Sequence, residues 1–180
     1  MSTKKRLVVN KTYKLYIGGQ FPRTESGRYY ELKGRKDALL ANVSRASRKD
    51  FRNAVVVARK ACPGWASATA YLRGQILYRV AEMLEGRAEQ FEEELRTQGV
   101  TPLAARKEVA NSIDLFVHYA GWSDKYQALF SSVNPVATPH FNFSMPEPTG
   151  VVAAVAPEGS GLLGLCSVIA PLLAGGNTSV

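Results

Sequence analysis

Residues 149–180 constrain the chain more than any other stretch, because they read as the strand, helix and strand of one parallel unit. Thr149-Gly150 closes a turn, and Val151 to Val155 is the uninterrupted apolar run of a strand covered on both faces. Pro157 to Gly161 breaks that run. Leu162 to Ala174 is apolar all round, as in a helix packed inside a larger protein. Gly175-Gly176-Asn177 tolerates the left-handed backbone of a helix end, after which Thr178-Ser179-Val180 has the composition of a strand. A parallel strand needs neighbours and a helix without a polar face needs cover on every side. Residues 149–180 are therefore expected to be an incomplete βαβ unit, in a chain that is truncated or depends on a partner.

The remaining length suits one domain with a sizeable core: 180 residues, 46% apolar and 21% charged. Cys62 and Cys166 stand apart, without a CxxC or a Cys/His cluster, which points to a reducing compartment. With only His118 and His140 to add, no metal site is expected. The basic start Met1 to Arg6 is followed by only three apolar residues, and the apolar stretch between Gly161 and Gly176 is short for a bilayer. These features predict a cytoplasmic protein with no membrane partner. The formal net charge is +8, and all of it lies at the start. Residues 1–36 hold ten Lys or Arg against two acids, and residues 37–180 hold thirteen of each. A solvated basic tail and a hairpin with a charged outer face account for that excess, and no nucleic-acid partner is expected.

Tyr13, Leu15 and Ile17 alternate with Lys14 and Tyr16 up to Gly18-Gly19, which predicts a tight hairpin turn. Phe21, Ser26-Gly27 and Tyr29-Tyr30 continue it as an antiparallel ribbon. Ser47 with Asp50 three residues on reads as a capping box, and the helix that follows is expected to end before Pro63-Gly64. A second helix starts near Thr69, with an apolar stripe of Leu72, Ile76, Val80, Met83 and Leu84 and with Arg73, Arg79, Glu82 and Glu85 outside. Gly86 marks a joint before an acidic helix over Phe91 to Gln98, stopped by Gly99. Thr101-Pro102 begins a long helix carrying Val109, Ile113, Phe116, Val117 and Ala120, with a possible extension through Trp122 and Tyr126. After the Pro135 to His140 loop, Phe141, Phe143 and Met145 alternate with Asn142 and Ser144 as a strand whose apolar side needs a partner.

The residues alone form no catalytic constellation. His118 falls within the long helix, Glu92-Glu93-Glu94 reads as a solvated face, and Cys166 reads as an inert packed thiol. The loop Pro157-Glu158-Gly159-Ser160-Gly161 precedes a helix and could present amides to an anion. It lacks a nucleotide fingerprint, and Glu158 repels phosphate. Ala156, Pro157 and Glu158 are accordingly weak cofactor-binding candidates.

Several segments in order resemble the N-terminal part of the aldehyde dehydrogenase superfamily, over essentially all of Tyr13 to Val180. They are Tyr16-Ile17-Gly18-Gly19 with Ser26-Gly27-Arg28; Ser47 to Trp65; Arg73, Leu77 and Ala81 to Glu85; Glu147 to Val152; and Ala170-Pro171 to Thr178. The resemblance implies an α/β fold: an N-terminal β hairpin and helices, then the first βαβ unit of a Rossmann-like domain for NAD or NADP. It divides the chain into a basic tail (1–12), hairpin and helices of the cofactor domain (13–124), a linker with an oligomerisation-arm strand near Phe141 to Met145 (125–148), and the incomplete βαβ unit (149–180). It implies a homo- or hetero-oligomer and an aldehyde as small-molecule substrate. Family enzymes attack the aldehyde with a cysteine, pass hydride to the nicotinamide and hydrolyse the thioester with help from a glutamate. The segments carrying that cysteine and glutamate are expected to lie outside this chain, which alone is expected to be inactive. Where active members read Pro-Trp-Asn-Phe-Pro, Gly159 stands at the position of the oxyanion-binding asparagine. That departure admits a second reading, a noncatalytic subunit that associates with an active relative.

Overall fold

A computed structural model describes residues 12–34 and 37–180, so the basic tail lies almost wholly outside the described residues. In it α4 (Pro102–Trp122) packs against α2 (Ala70–Glu85), α3 (Ala88–Thr97) and α6 (Gly161–Ala174). Leu77 and Ala81 of α2, Phe116 of α4, and Cys166, Ala170 and Ala174 of α6 form the main apolar core. Leu95 of α3 with Ala105 and Val109 of α4 forms a second. Gly74 lets α2 and α4 approach closely, since a Cβ there would lie 2.8 Å from the Ala120 carbonyl oxygen.

The βαβ unit is present. Strands β6 (Val151–Val152) and β7 (Thr178–Ser179) run parallel on either side of α6, with Val151 opposite Thr178 and Val152 opposite Ser179. Their ladder extends to the Ala154 amide, which donates to the Val180 carbonyl at 2.9 Å. The strand leaves the sheet there: Val155 is 91% exposed rather than covered on both faces.

The N-terminal segment differs from a simple ribbon. Gly18 and Gly19 do make a tight turn at positive φ, with Ile17 and Gln20 exchanging backbone hydrogen bonds. The sheet, however, has β3 (Leu39–Ser44) at its centre, a strand that sequence analysis did not assign. It pairs parallel with β1 (Thr12–Tyr13) and antiparallel with β2 (Tyr29–Lys33). Ala41, buried in mid-strand, anchors β3, which has little alternation to announce it. Strands β4 (Ser132–Asn134) and β5 (Asn142–Ser144) form a separate antiparallel hairpin after the short α5 (Tyr126–Phe130), and the long helix stops at Trp122 rather than running on to Tyr126.

Helix α1 (Arg48–Ala66) runs through Pro63 instead of ending before it. The proline removes one amide donor, which tertiary bonds offset. The Trp65 indole N–H donates to the Leu173 carbonyl at 3.1 Å, and the Thr178 hydroxyl donates to the Ala58 carbonyl at 3.1 Å. At its start the expected capping box is complete: Ser47 Oγ accepts from the Asp50 amide, and Asp50 Oδ2 accepts from the Ser47 amide at 2.8 Å. The same carboxylate accepts from the Thr24 hydroxyl at 2.7 Å and the Glu25 amide at 3.2 Å.

Arg73 is the main correction to the helix reading. The buried face of α2 is Arg73, Leu77 and Ala81, whereas Leu72, Ile76 and Met83 are exposed. Arg73 is 4% exposed. Its Nε donates to the Ala174 carbonyl at 3.1 Å, and its Nη1 donates to the Ala68 carbonyl at 2.6 Å. A guanidinium can be buried where its forked donors find carbonyls that would otherwise lack partners. Replacing it should expose that dependence. Arg73→Met is expected to destabilise by about 2–4 kcal/mol by leaving one buried and one partly buried carbonyl unsatisfied, and Arg73→Lys to restore part of the loss, both read from urea-unfolding midpoints.

Asp50 gives a pH signature. The Ser47 amide first, then the Thr24 hydroxyl, hold its carboxyl at about 2, below the ordinary 3.8. Because the folded value is depressed, the stabilisation is complete above pH 3.8 and is lost as pH falls towards about 2. In Asp50→Asn, unfolding midpoints are expected to be lower than in the native chain at pH 6, with the gap closing across that acidic window.

Candidate functional site

The loop between β6 and α6 is where the sequence places chemistry, and three contacts fix it. Pro157 lies over Gly164 on the first turns of α6: a Cβ on Gly164 would come within 2.9 Å of the Pro157 carbonyl oxygen. Gly161 sits against Leu95 of α3, where a Cβ would be 3.5 Å from the leucine methyl. The third contact is a charge. Ser160, the residue capping α6, makes no side-chain cap bond. Instead Glu108 of α4 reaches across, and its Oε1 accepts from the amides of Leu162 at 2.8 Å and Leu163 at 3.2 Å. A carboxylate at the positive end of a helix satisfies orphan amides and interacts favourably with the helix dipole.

This arrangement decides what the loop can bind. Anion capture at the start of α6 would need amides that Glu108 already occupies, so this helix end does not suit a cofactor pyrophosphate. Among the candidates, Pro157, Glu158 and Gly159 are exposed and Ala156 is half-buried. They offer a surface rather than a cradle. Gly159 faces open space, since a Cβ built there meets no atom within 4 Å.

The remaining titratable candidates stay apart from the loop. Cys166 is buried, and burial pushes its thiol pKa up, partly offset by a hydrogen bond with Ser112. His118 stands edge-on to Tyr119, and His140 pairs with the Thr138 hydroxyl. Glu93 forms an exposed ion pair with Arg96. Among the described residues, no three His, Cys, Asp or Glu gather as a metal site. No helix among the described residues is long and apolar enough to cross a membrane.

Glu108 was not singled out in the sequence, although a signal exists. It lies one turn from Ala105 and Ser112 on the inner side of α4, where an acid needs a donor.

Comparison with known proteins gives a consistent picture. A model described as the aldehyde dehydrogenase family matches residues 22–180. The cytosolic 10-formyltetrahydrofolate dehydrogenase of Mus musculus is 34% identical over 183 residues, covering 98% of this chain and 20% of that protein. The mitochondrial benzaldehyde dehydrogenase of Antirrhinum majus is 31% identical over 172 residues, covering 93% and 32%. The NAD+ complex of aldehyde dehydrogenase from Bacillus cereus has a TM-score of 0.87 at 25% identity, over 94% of this chain and 35% of that one. Salicylaldehyde dehydrogenase from Pseudomonas putida G7, with a TM-score of 0.88 over 94% of this chain and 35% of that one, shares the fold at 21% identity. The chain thus spans only about a fifth of the length of the first of these relatives.

Removing the Glu108 carboxylate tests how the loop is held. Glu108→Ala is expected to lose protection from hydrogen exchange at the Leu162 and Leu163 amides and about 1–2 kcal/mol of stability, the size of a lost helix cap. Glu108→Gln, which keeps an acceptor oxygen, is expected to retain most of both. NMR-detected exchange at those two amides separates local fraying from global unfolding.

Proposed function

The chain belongs to the aldehyde dehydrogenase family, and from that membership we propose that it forms the N-terminal part of a protein that oxidises aldehydes with NAD or NADP. The observation that carries this reading is the family match along residues 22–180, joined to a fold shared with an NAD+-bound family member. The nicotinamide, when bound, accepts the hydride from the substrate. The residues described here do not suit its pyrophosphate at α6, so the chain by itself is not expected to bind the cofactor appreciably. Its own part is to support the loop: Glu108, Pro157 and Gly161 set where the backbone of Gly159 stands. The nucleophilic cysteine is assigned to the rest of the protein, because Cys166 is buried and its pKa is raised.

The β4–β5 hairpin supports an oligomer. Val133, Phe141, Phe143 and Met145 are all exposed there, an apolar surface that a second subunit would cover. Residues 125–148 then act as the arm, residues 13–124 and 149–180 belong to the cofactor domain, and the protein works in the cytoplasm.

A second reading, a noncatalytic subunit associated with an active relative, is favoured by one feature: the loop reads Pro157-Glu158-Gly159-Ser160-Gly161. A glycine supplies no side-chain donor to an oxyanion, and losing one such donor costs about a hundred- to a thousandfold in rate. Both readings meet one test in the protein that contains this chain. NADH or NADPH formation is measured with a panel of aldehydes before and after replacing Glu158 to Gly161 by Trp, Asn, Phe and Pro. The enzymatic reading expects measurable turnover that rises about a hundredfold on replacement. Absence of turnover in both forms supports the noncatalytic subunit.

A further inference from the structure

Three segments that carry six cations are tied together at the N-terminal end of α1. The Thr24 hydroxyl lies 3.1 Å from the Arg45 carbonyl and 2.7 Å from Asp50 Oδ2. The Glu25 amide donates to Asp50 Oδ1 at 3.2 Å, and the Arg45 amide donates to the Arg28 carbonyl at 2.9 Å. These bonds tie residues 23–28 and 45–47 to the first turn of the helix. Arg23, Arg28 and Arg45 thereby join Arg48, Lys49 and Arg52, and all six are exposed.

Of these six cations, the local acids neutralise only Lys49. Asp50 is buried and spent on the capping box and the Thr24 bond, so the run Arg48-Lys49-Asp50-Phe51-Arg52 presents only cations and a ring. Glu25 is paired with Lys49 at 2.9 Å. Among the described residues, none of the five arginines has an ion-pair partner. A shallow groove runs between Ser47, Arg48, Lys49, Phe51 and Arg52, and the Phe51 ring beside it is 56% exposed.

We infer that this groove binds single-stranded nucleic acid without sequence preference. The guanidinium groups contact successive phosphates, and Phe51 offers the face on which a base stacks. Nucleic acid fits better than an acidic peptide because a solvated apolar ring set among cations serves stacking, which carboxylates do not use. The inference departs from the sequence reading, which treated the charge as a tail in solvent. Folding turns Asp50 inward and ties the segments that carry Arg23 and Arg28 to α1, which leaves Arg48 and Arg52 exposed in a groove next to a ring.

The test is fluorescence anisotropy of a labelled oligothymidylate, about 20 nucleotides long so that it exceeds a single groove, titrated with the full 180-residue chain at several salt concentrations. The expected result is binding that weakens with salt. Arg48→Glu with Arg52→Glu is expected to weaken it at least about tenfold and to flatten the salt slope. Phe51→Ala is expected to weaken it about fivefold with the slope unchanged, because stacking releases no counterions. Circular dichroism checks folding, and Arg48→Gln with Arg52→Gln gives a milder pair should the charge reversal unfold the chain. Absence of binding at low salt, or full binding by either pair, which would place it on the basic tail, overturns the inference. So does polyglutamate competing as well as the oligonucleotide, which would instead indicate an acidic protein partner.

Discussion

Helix α6 cannot complete its own ends, and the rest of the molecule is arranged around that deficiency. It has no side-chain cap at its start, and Ser167 is its only hydroxyl-bearing residue. A helix leaves amides unpaired at its start and carbonyls at its finish, and in an apolar interior each needs a donor or acceptor from elsewhere. Here two charges from neighbouring helices complete it. Glu108 of α4 takes the amides of Leu162 and Leu163, and Arg73 of α2 donates to the carbonyl of Ala174. Leu173 receives the Trp65 indole and the Gly176 amide, and Leu172 receives the Asn177 amide. The signs match the helix dipole at both ends, acid at the start and cation at the finish. The three-helix core is therefore organised electrostatically as well as by burial. Rotating α2 or α4 about its axis would strand a charge in the core.

That arrangement explains why some of the fold was legible in the sequence and some was not. Capping chemistry is local, and it was readable: Ser47 with Asp50, Thr101 with Pro102 and Thr69 all stand where the helices begin. The βαβ order was readable because an uninterrupted apolar helix between two short strand-like runs has few other uses. Arg73 was misplaced because an amphipathic reading sends every charge outward, and only the positions of Ala68 and Ala174 reveal that a guanidinium belongs inside. The spacing of Arg73, Leu77 and Ala81 at four-residue steps marked the same face as the core. Strand β3 escaped because its sequence, Leu-Leu-Ala-Asn-Val-Ser, has little alternation, and its two pairing partners, which both precede it in the chain, flank it only in the folded sheet.

The loop from Ala156 to Gly161 shows the same division between scaffold and chemistry. Its supports are contacts made by backbone, proline and small residues: Pro157 over Gly164, Gly161 against Leu95, and the Glu108 carboxylate on amides. None depends on the side chains at Glu158, Gly159 or Ser160. The loop can therefore keep its place while those three positions change, which is how a family fold is retained beside an altered site. The open surroundings of a Cβ at Gly159 fit this view, because nothing packs against that position.

Two carboxylates, Asp50 and Glu108, are spent in the same way, each on the amides at the start of a helix. A sequence reader looking for anion sites would choose those two helix starts first, and in both the chain supplies its own anion. The consequences differ with the surroundings. At α6 the closed end lies against Leu95, and its amides are already taken by Glu108. At α1 the buried carboxylate removes the only acid from a basic run and gathers two further arginine-bearing segments through Thr24 and Glu25. Satisfying the helix end thus leaves the exposed side chains of that first turn basic, and the positive charge of the surface resides on guanidinium groups, whose field is screened by salt.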